Sequence, residues 1–473
     1  MKVKFNLIYS SAIVFIALMV TSCRVGKEYQ RPAVELPQQF NGVTFGDTSS
    51  IANIEWKAFF TDTTLQRLIE TGLSYNYDLQ LAIKNIDVAR QQMIQSKLLL
   101  LPQVSAQVSA QTDYPSANSL NGISTNSFLG SDHINDYIAG VNVTWEADIW
   151  GKIRRQKEAV LAGYLQSYEA KKAVQTQLVA NIAQGFFNLL MLDEQLSITR
   201  KNLLLSDSTV RVTRFLRDAG EVTTLAVQQA VAQQQSTALL IPQFEQSIGL
   251  QEDALSILTG QLPGAIQRTV SLEQFSVPDN LSTGLPAAIL SRRPDVRAAE
   301  SAIIAANAQA GIAQANMYPA LNITAGVGLE SFKMSNWFSI PASLFGIVTG
   351  SVLQPIFNNR QLKTQYEIAK IQREQAVITF RQTVLTAVGE VSDALVQQDK
   401  LKQQQQIAQA QVDTLHSAVK NAQILFKGNM ATYIEVITAQ GSALQAQLNL
   451  ASIKEQQLGA MVSLYQALGG GWR

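Results

Sequence analysis

Val104-Ser105-Ala106-Gln107-Val108-Ser109-Ala110 sets an apolar side chain at every second position and a polar one between. Side chains of an extended chain point alternately to opposite faces, so this reads as a strand with one apolar and one polar face. Leu321-Asn322-Ile323-Thr324-Ala325-Gly326-Val327 repeats the pattern, and each stretch follows a proline, Pro102 or Pro319, that closes a helical segment. Ala139, Val141, Val143 and Trp145 alternate with Gly140, Asn142, Thr144 and Glu146, which predicts a return strand after a Ser/Asn/Gly-rich loop at roughly 113–136. A shorter loop near 330–343 leads to a fourth strand that alternates poorly. Placed at 103–112, 138–147, 320–329 and 345–354, the strands have the length at which a tilted strand crosses a membrane. Trp145 and Trp150 suit an interfacial belt. A pair of soluble hairpins, each with one wet face, satisfies the alternation equally well.

The chain reads as two copies of one plan. At one constant offset Asp78 meets Asp295, Ala82 meets Ala299, Ala89 meets Ala306 and Pro102 meets Pro319. At a second offset Gly220 meets Asn429, Leu225 meets Ile434, Val227 meets Val436, Ala230 meets Ala439 and Gly260 meets Gly469. The offset shrinks between the two stretches, so the first copy carries the longer insertion.

Each strand pair is followed by a long helical run. No proline occurs from Ser116 to Ile241, nor anywhere after Pro355. The runs, about 151–219 and 359–427, correspond to helices of roughly 100 Å at 1.5 Å per residue. Val377, Phe380, Val384, Ala387, Val391 and Ala394 follow the three-and-four spacing of a coiled-coil seam, as do Leu178, Ile182, Phe186 and Leu189. The runs break at Asp218-Ala219-Gly220 and Lys427-Gly428-Asn429, and returning helices at about 222–259 and 431–468 follow. Pro242 lies inside the first return helix, where a kink is expected.

Composition removes several functions. Lys and Arg number 37 against 36 Asp and Glu, without the basic excess of a nucleic-acid binder. His133, His416 and the single Cys23 cannot form a disulfide within the chain or a structural zinc site. There is no P-loop, HExxH or GxSxG, and no catalytic residue, cofactor or metal ligand is assigned. Glu146 and Asp148 could be read as a carboxylate pair or as acids on the polar face of a strand.

The N-terminus has the shape of a secretory signal: Lys2 and Lys4, then an apolar run from Phe5 to Val20. Val20-Thr21-Ser22-Cys23 resembles a lipobox, in which the cysteine is acylated and becomes the first mature residue. Arg24, where an Asp would signal retention at the inner membrane, points to the outer membrane. No later segment has the apolar length of a spanning helix, so a mature chain that crosses a membrane does so as a closed β-barrel. Four strands cannot close, but three chains give twelve, an even number within the barrel range. A lipid-anchored coiled-coil spacer without a pore is the alternative.

Several longer motifs carry a resemblance to one family. Cys23 through Tyr29-Gln30-Arg31-Pro32, Ser291-Arg292-Arg293-Pro294-Asp295-Val296, Ala431-Thr432-Tyr433-Ile434-Glu435-Val436 and the tail Tyr465 to Trp472 are similar to the TolC-like outer membrane factors. The match is to the lipoprotein branch serving resistance-nodulation-division pumps. The resemblance implies a mainly helical chain with four strands and two repeats, a homotrimer closing a twelve-stranded barrel and a helical tube, and passive efflux. It implies a periplasmic adaptor and an inner-membrane pump as partners. The adaptor would meet the tips at Ala219, Gly220, Val222, Thr223, Gly428, Asn429, Ala431 and Thr432. Glu435 falls on the first of two positions that often carry acidic rings at the pore constriction; Thr438 occupies the second, a departure from the two-ring pattern. Glu435 reads equally as a solvated helix residue. The expected organisation is a signal at 1–22, a lipid-anchored extension at 23–58, a first repeat at 59–265, a linker at 266–284 and a second repeat at 285–473.

Overall fold

The computed structural model describes residues 25–37, 50–278, 283–284, 286–428 and 430–472. The chain is mostly helical, with one four-stranded antiparallel sheet. The principal elements are α1 (Thr63–Tyr75), α2 (Tyr77–Leu98), β1 (Gln103–Asp113), α3 (Leu120–Leu129), β2 (Ile134–Ala147), α4 (Lys152–Asp218) and α5 (Thr224–Leu258). They continue with α6 (Pro294–Ala315), β3 (Ala320–Ser331), β4 (Leu344–Leu353), α7 (Gln361–Lys427) and α8 (Tyr433–Ala467). Lengths match in pairs: α2 and α6 have 22 residues, α4 and α7 have 67, α5 and α8 have 35. Pro242 lies within α5, as the sequence places it.

The chain divides into two compact units. The first combines 88–165, 301–378 and the N-terminal segment up to Pro32. Its centre is the sheet, ordered β1-β2-β3-β4. The register aligns the alternation across all four strands. Val104, Val143, Ala325 and Val348 form one row; Ala106, Val141, Val327 and Gly346 the next; Val108, Ala139, Leu329 and Leu344 a third. The opposite face carries Gln103, Thr144, Thr324 and Thr349, then Ser105, Asn142, Gly326 and Ile347. A one-residue slip of any strand would mix the two faces, so the pattern fixes the register.

The register explains the poor alternation of β4. Phe345 and Ile347 lie on the polar face, in rows otherwise holding Gln107, Gly140 and Gly328 or Ser105, Asn142 and Gly326. A Cβ on Gly328 would stand 2.8 Å from the Phe345 ring and 2.3 Å from the Ala139 carbonyl oxygen. Glycines on two neighbouring strands thus make the slot the ring fills.

The loop expected at 113–136 contains helix α3. Its Ser and Gly residues are caps, not loop markers: the Ser119 hydroxyl accepts from the Gly122 N–H at 3.1 Å, and Gly130 ends the helix at φ +62°. The strand after it starts at Ile134, earlier than expected, because Ile134–Tyr137 pair with Ala110–Asp113.

The second unit holds 33–87, 166–300 and 379–473. Leu178, Ile182, Phe186 and Leu189 of α4 are buried, with Phe275 set edge-on against Phe186 and Phe187. Phe380, Val384, Ala387, Val391 and Ala394 form the buried stripe of α7, and Ala408 and Val412 pack against Ala446, Leu450 and Ile453 of α8. Each fully buried Leu, Ile or Phe contributes ~1.5–3 kcal/mol, and the small residues bring the helices close.

Candidate functional site

The tips are two helix reversals in the second unit. At the first, Gly220 takes φ +80°, its N–H donates to Arg217 O at 2.9 Å, and the Glu221 N–H donates to Leu216 O at 2.8 Å. This pair of bonds satisfies the last carbonyls of α4 and needs a left-handed residue at the position Gly220 holds. The Thr223 hydroxyl then accepts from the Ala226 N–H at 3.4 Å and starts α5. Ala219, Gly220 and Thr223 are exposed and Val222 is half-buried.

At the second reversal the Gly428 N–H reaches Ile424 O and Leu425 O at 3.1 Å, and the Met430 N–H donates to Leu425 O at 2.8 Å. Gly428 and Thr432 are exposed and Ala431 is half-buried; Asn429 lies outside the described residues. The two reversals sit together, because the Tyr433 hydroxyl at the start of α8 donates to Gln229 Oε1 in the first turns of α5 at 2.5 Å.

Glu435 has a local partner. Its carboxylate accepts the Thr432 backbone N–H at 2.6 Å, the return arm of a capping box at the start of α8. The first return helix has Ala226 at the corresponding place and lacks this arm. Glu435 and Thr438 are both exposed and lie three residues apart, on one face of α8.

Sequence reading missed a polar ladder inside the helical bundle. Gln195 Nε2 donates to Leu448 O at 3.2 Å, Asn202 Nδ2 to Gln447 Oε1 at 3.0 Å, and Gln440 Nε2 to the Thr209 hydroxyl at 3.0 Å. Gln195, Asn202 and Thr209 are seven residues apart, a heptad of polar residues that would have signalled it. Polar pairs of this kind, of which Gln440–Thr209 is buried and the others half-buried, pin one helix against its neighbour in a single register.

The Ser291–Val296 motif forms a junction in the same unit. Arg293 Nε and Nη2 donate to Asp295 at 3.0 and 2.6 Å, and Nη1 donates to Glu390 Oε2 of α7 at 2.6 Å and to Ala467 O at the end of α8 at 3.0 Å. Burial works against the charge on Arg293, but Asp295 and Glu390 outweigh it and hold the guanidinium protonated above its usual range. At the C-terminal end Lys172 Nζ lies between the rings of Tyr168 and Trp472, at 4.7 and 4.3 Å.

Among the described residues no group of His, Cys, Asp and Glu could hold a metal ion, and no helix is long and apolar enough to cross a membrane. Cys23 lies outside the described residues. What remains is a two-faced sheet, two joined helix tips and a polar-laced helical bundle: the parts of a channel protomer. The outer membrane efflux protein family matches residues 68–261 and 285–470, and the chain belongs to it.

The chain is 30% identical to the probable outer membrane lipoprotein SilC of Salmonella typhimurium, over 99% of each chain. It is 30% identical to the toluene efflux pump outer membrane protein TtgC of Pseudomonas putida, over 96% of this chain and 94% of the relative. The cation efflux system protein CusC of Escherichia coli is 29% identical over 97% of this chain and 98% of its own. A crystal structure of CusC superposes with a TM-score of 0.83 at 28% identity, covering 95% of this chain and 100% of that one. The protein is an outer-membrane efflux channel component and not an enzyme.

Proposed function

We propose that three copies of the chain close a twelve-stranded barrel, three times the four strands of the sheet, and form the passive exit duct of a tripartite efflux system. The observation that carries this is the sheet itself. β1 and β4 are its two edges, and they run in opposite directions. Joining β4 of one copy to β1 of the next keeps every neighbour antiparallel and leaves no open edge toward lipid. The apolar rows through Val104, Ala106 and Val108 then face lipid, and Gln103, Ser105 and Gln107 face the lumen.

Long helices from three copies would wind into a tube of roughly 100 Å. The tips around Gly220 and Gly428 would meet a periplasmic adaptor that joins the duct to an inner-membrane resistance-nodulation-division pump. The two-repeat plan rests on the paired lengths of α4 and α7 and of α5 and α8. Acylation of Cys23 rests on the lipobox and on the likeness to a lipoprotein. The relatives carry names as different as cation efflux and toluene efflux, so the duct's cargo follows from the pump it serves. Glu435 forms one acidic ring at the constriction.

The test is conductance of the purified mature protein in a planar bilayer, with its mass measured in parallel. Discrete conductance steps from a trimer are expected. A monomer that does not insert would overturn the barrel and favour the spacer.

A further inference from the structure

Arg155, in the first turn of α4, heads the fully buried side chains by volume and is 1% exposed. A guanidinium out of water is costly unless its donors meet acceptors. One partner is a carboxylate: Nη1 donates to Glu158 Oε2 at 2.8 Å. Three further donations go to backbone carbonyls. Nε donates to Val25 O at 3.4 Å, and Nη2 donates to Gly26 O at 3.1 Å and Lys27 O at 3.2 Å. Asn307 of α6 adds a bond to Lys27 O at 2.9 Å, and the Val25 N–H donates to Trp150 O at 3.2 Å.

The seat is shaped as well as polar. Gly26 takes φ +92°, and a Cβ there would stand 3.0 Å from Gly311 Cα. A Cβ on Gly311 would stand 3.1 Å from Arg155 Nε. The site therefore holds the path of the chain through its carbonyls and requires glycine at position 26. Only a planar fork with several donors can reach three successive carbonyls, so lysine is no substitute.

We propose that Arg155, Asn307 and Gly311 form a docking site for the mature N-terminus. The segment they hold begins at Val25, two residues after Cys23. Two residues span at most about 7 Å. An acyl group on Cys23 is thus tethered no more than two residues from Val25, which is held by Trp150, whose ring packs on Tyr318 at 4.9 Å. The stretch next to the anchor, Val25–Lys27, is thereby built into the folded protomer. The inference rests on the reading of Cys23 as acylated.

Endoproteinase Lys-C cuts after lysine and must draw several residues around the scissile bond into its cleft. Lys27 is the target, because its carbonyl is held by both Arg155 and Asn307. The full-length protein, purified in mild detergent, is digested without denaturation, and release of the Cys23–Lys27 peptide is followed by mass spectrometry. The wild type is expected to resist at Lys27, with Arg155→Met cut at least tenfold faster and Asn307→Ala in between. If Arg155→Met raises cutting at every lysine, the fold has failed, and Gly311→Ala and Asn307→Ala decide instead. Wild-type cleavage as fast as in the heat-denatured chain would overturn docking, as would folded Gly311→Ala and Asn307→Ala both cut at the wild-type rate. The mass of the released peptide is a separate readout: a bare Cys23 overturns acylation and with it the placement of the lipid, whatever the rate.

Discussion

Replacing Arg293 by Met should cost far more stability than removing the charge it pairs with on α7. Arg293 meets two carboxylates and one carbonyl. The carboxylates are well placed to survive its loss. Asp295 is 37% exposed and also accepts the Val296 N–H at 2.9 Å, and Glu390 is 48% exposed. Water replaces much of each bond, so each pair is worth no more than about 1 kcal/mol. Ala467 O is different. It belongs to a buried residue at the end of α8, and an unsatisfied buried carbonyl costs ~1–3 kcal/mol. Arg293→Met should therefore cost ~2–4 kcal/mol, and Glu390→Gln under about 1 kcal/mol. Denaturant unfolding in detergent measures both. Amide exchange in the last turn of α8 locates the damage, because that turn loses its carbonyl anchor. If the two variants are equally destabilised, or if exchange at the end of α8 is unchanged in Arg293→Met, the carbonyl is not what the arginine secures.

Three further outcomes follow from single side chains. Glu435→Gln keeps the capping bond to Thr432 but removes the charge, so it should leave helix stability intact and abolish cation preference in bilayers. Glu435→Ala loses both, with a cost of ~1 kcal/mol at the helix start; cation preference unchanged in both variants would refute the ring. Gly328→Ala drives a Cβ into backbone on the neighbouring strand and should cost ~1–3 kcal/mol, while Gly350→Ala meets nothing within 4 Å and should be silent. The heat needed to unfold the sheet on a gel compares them, and equal behaviour would refute the close packing. Burial raises the Glu455 pKa, so its contribution to stability is present below the ordinary glutamate range and is lost as pH rises through the raised value. Glu455→Gln should melt higher than wild type at neutral pH and no higher in acid; a constant difference across pH would refute the assignment.

What the sequence disclosed was whatever repeats at a fixed period. Period two in Val104–Ala110 and Leu321–Val327, and the spacing through Phe380 and Val391, are local signals that survive without knowing the neighbours. β4 was hard to read because its rule lies on other strands: Phe345 sits on the polar face only because Gly140 and Gly328 leave room. Helix α3 was hidden by its composition, since Ser119 and Gly130 serve as caps at positions where they look like loop. At the tips the turn chemistry of Gly220 and Thr223 was readable, but the bond from Tyr433 to Gln229 spans 204 positions and no local pattern encodes it. The same is true of Arg155, whose burial depends on a segment about 130 residues away.

The equal lengths of α4 and α7, 67 residues each, restrict how this protein can change in evolution. One residue inserted into one of them would advance its tip by about 1.5 Å and rotate everything beyond it by about 100°. Rotation would turn the stripe at Leu178 or Phe380 away from its partner and throw the heptad of Gln195, Asn202 and Thr209 out of step. A heptad added to both helices, and matched by a heptad in each of the return helices α5 and α8, would preserve the stripe, the ladder and the meeting of the two tips. The helical hairpins are therefore inherited in whole heptads, as a matched set of four rulers.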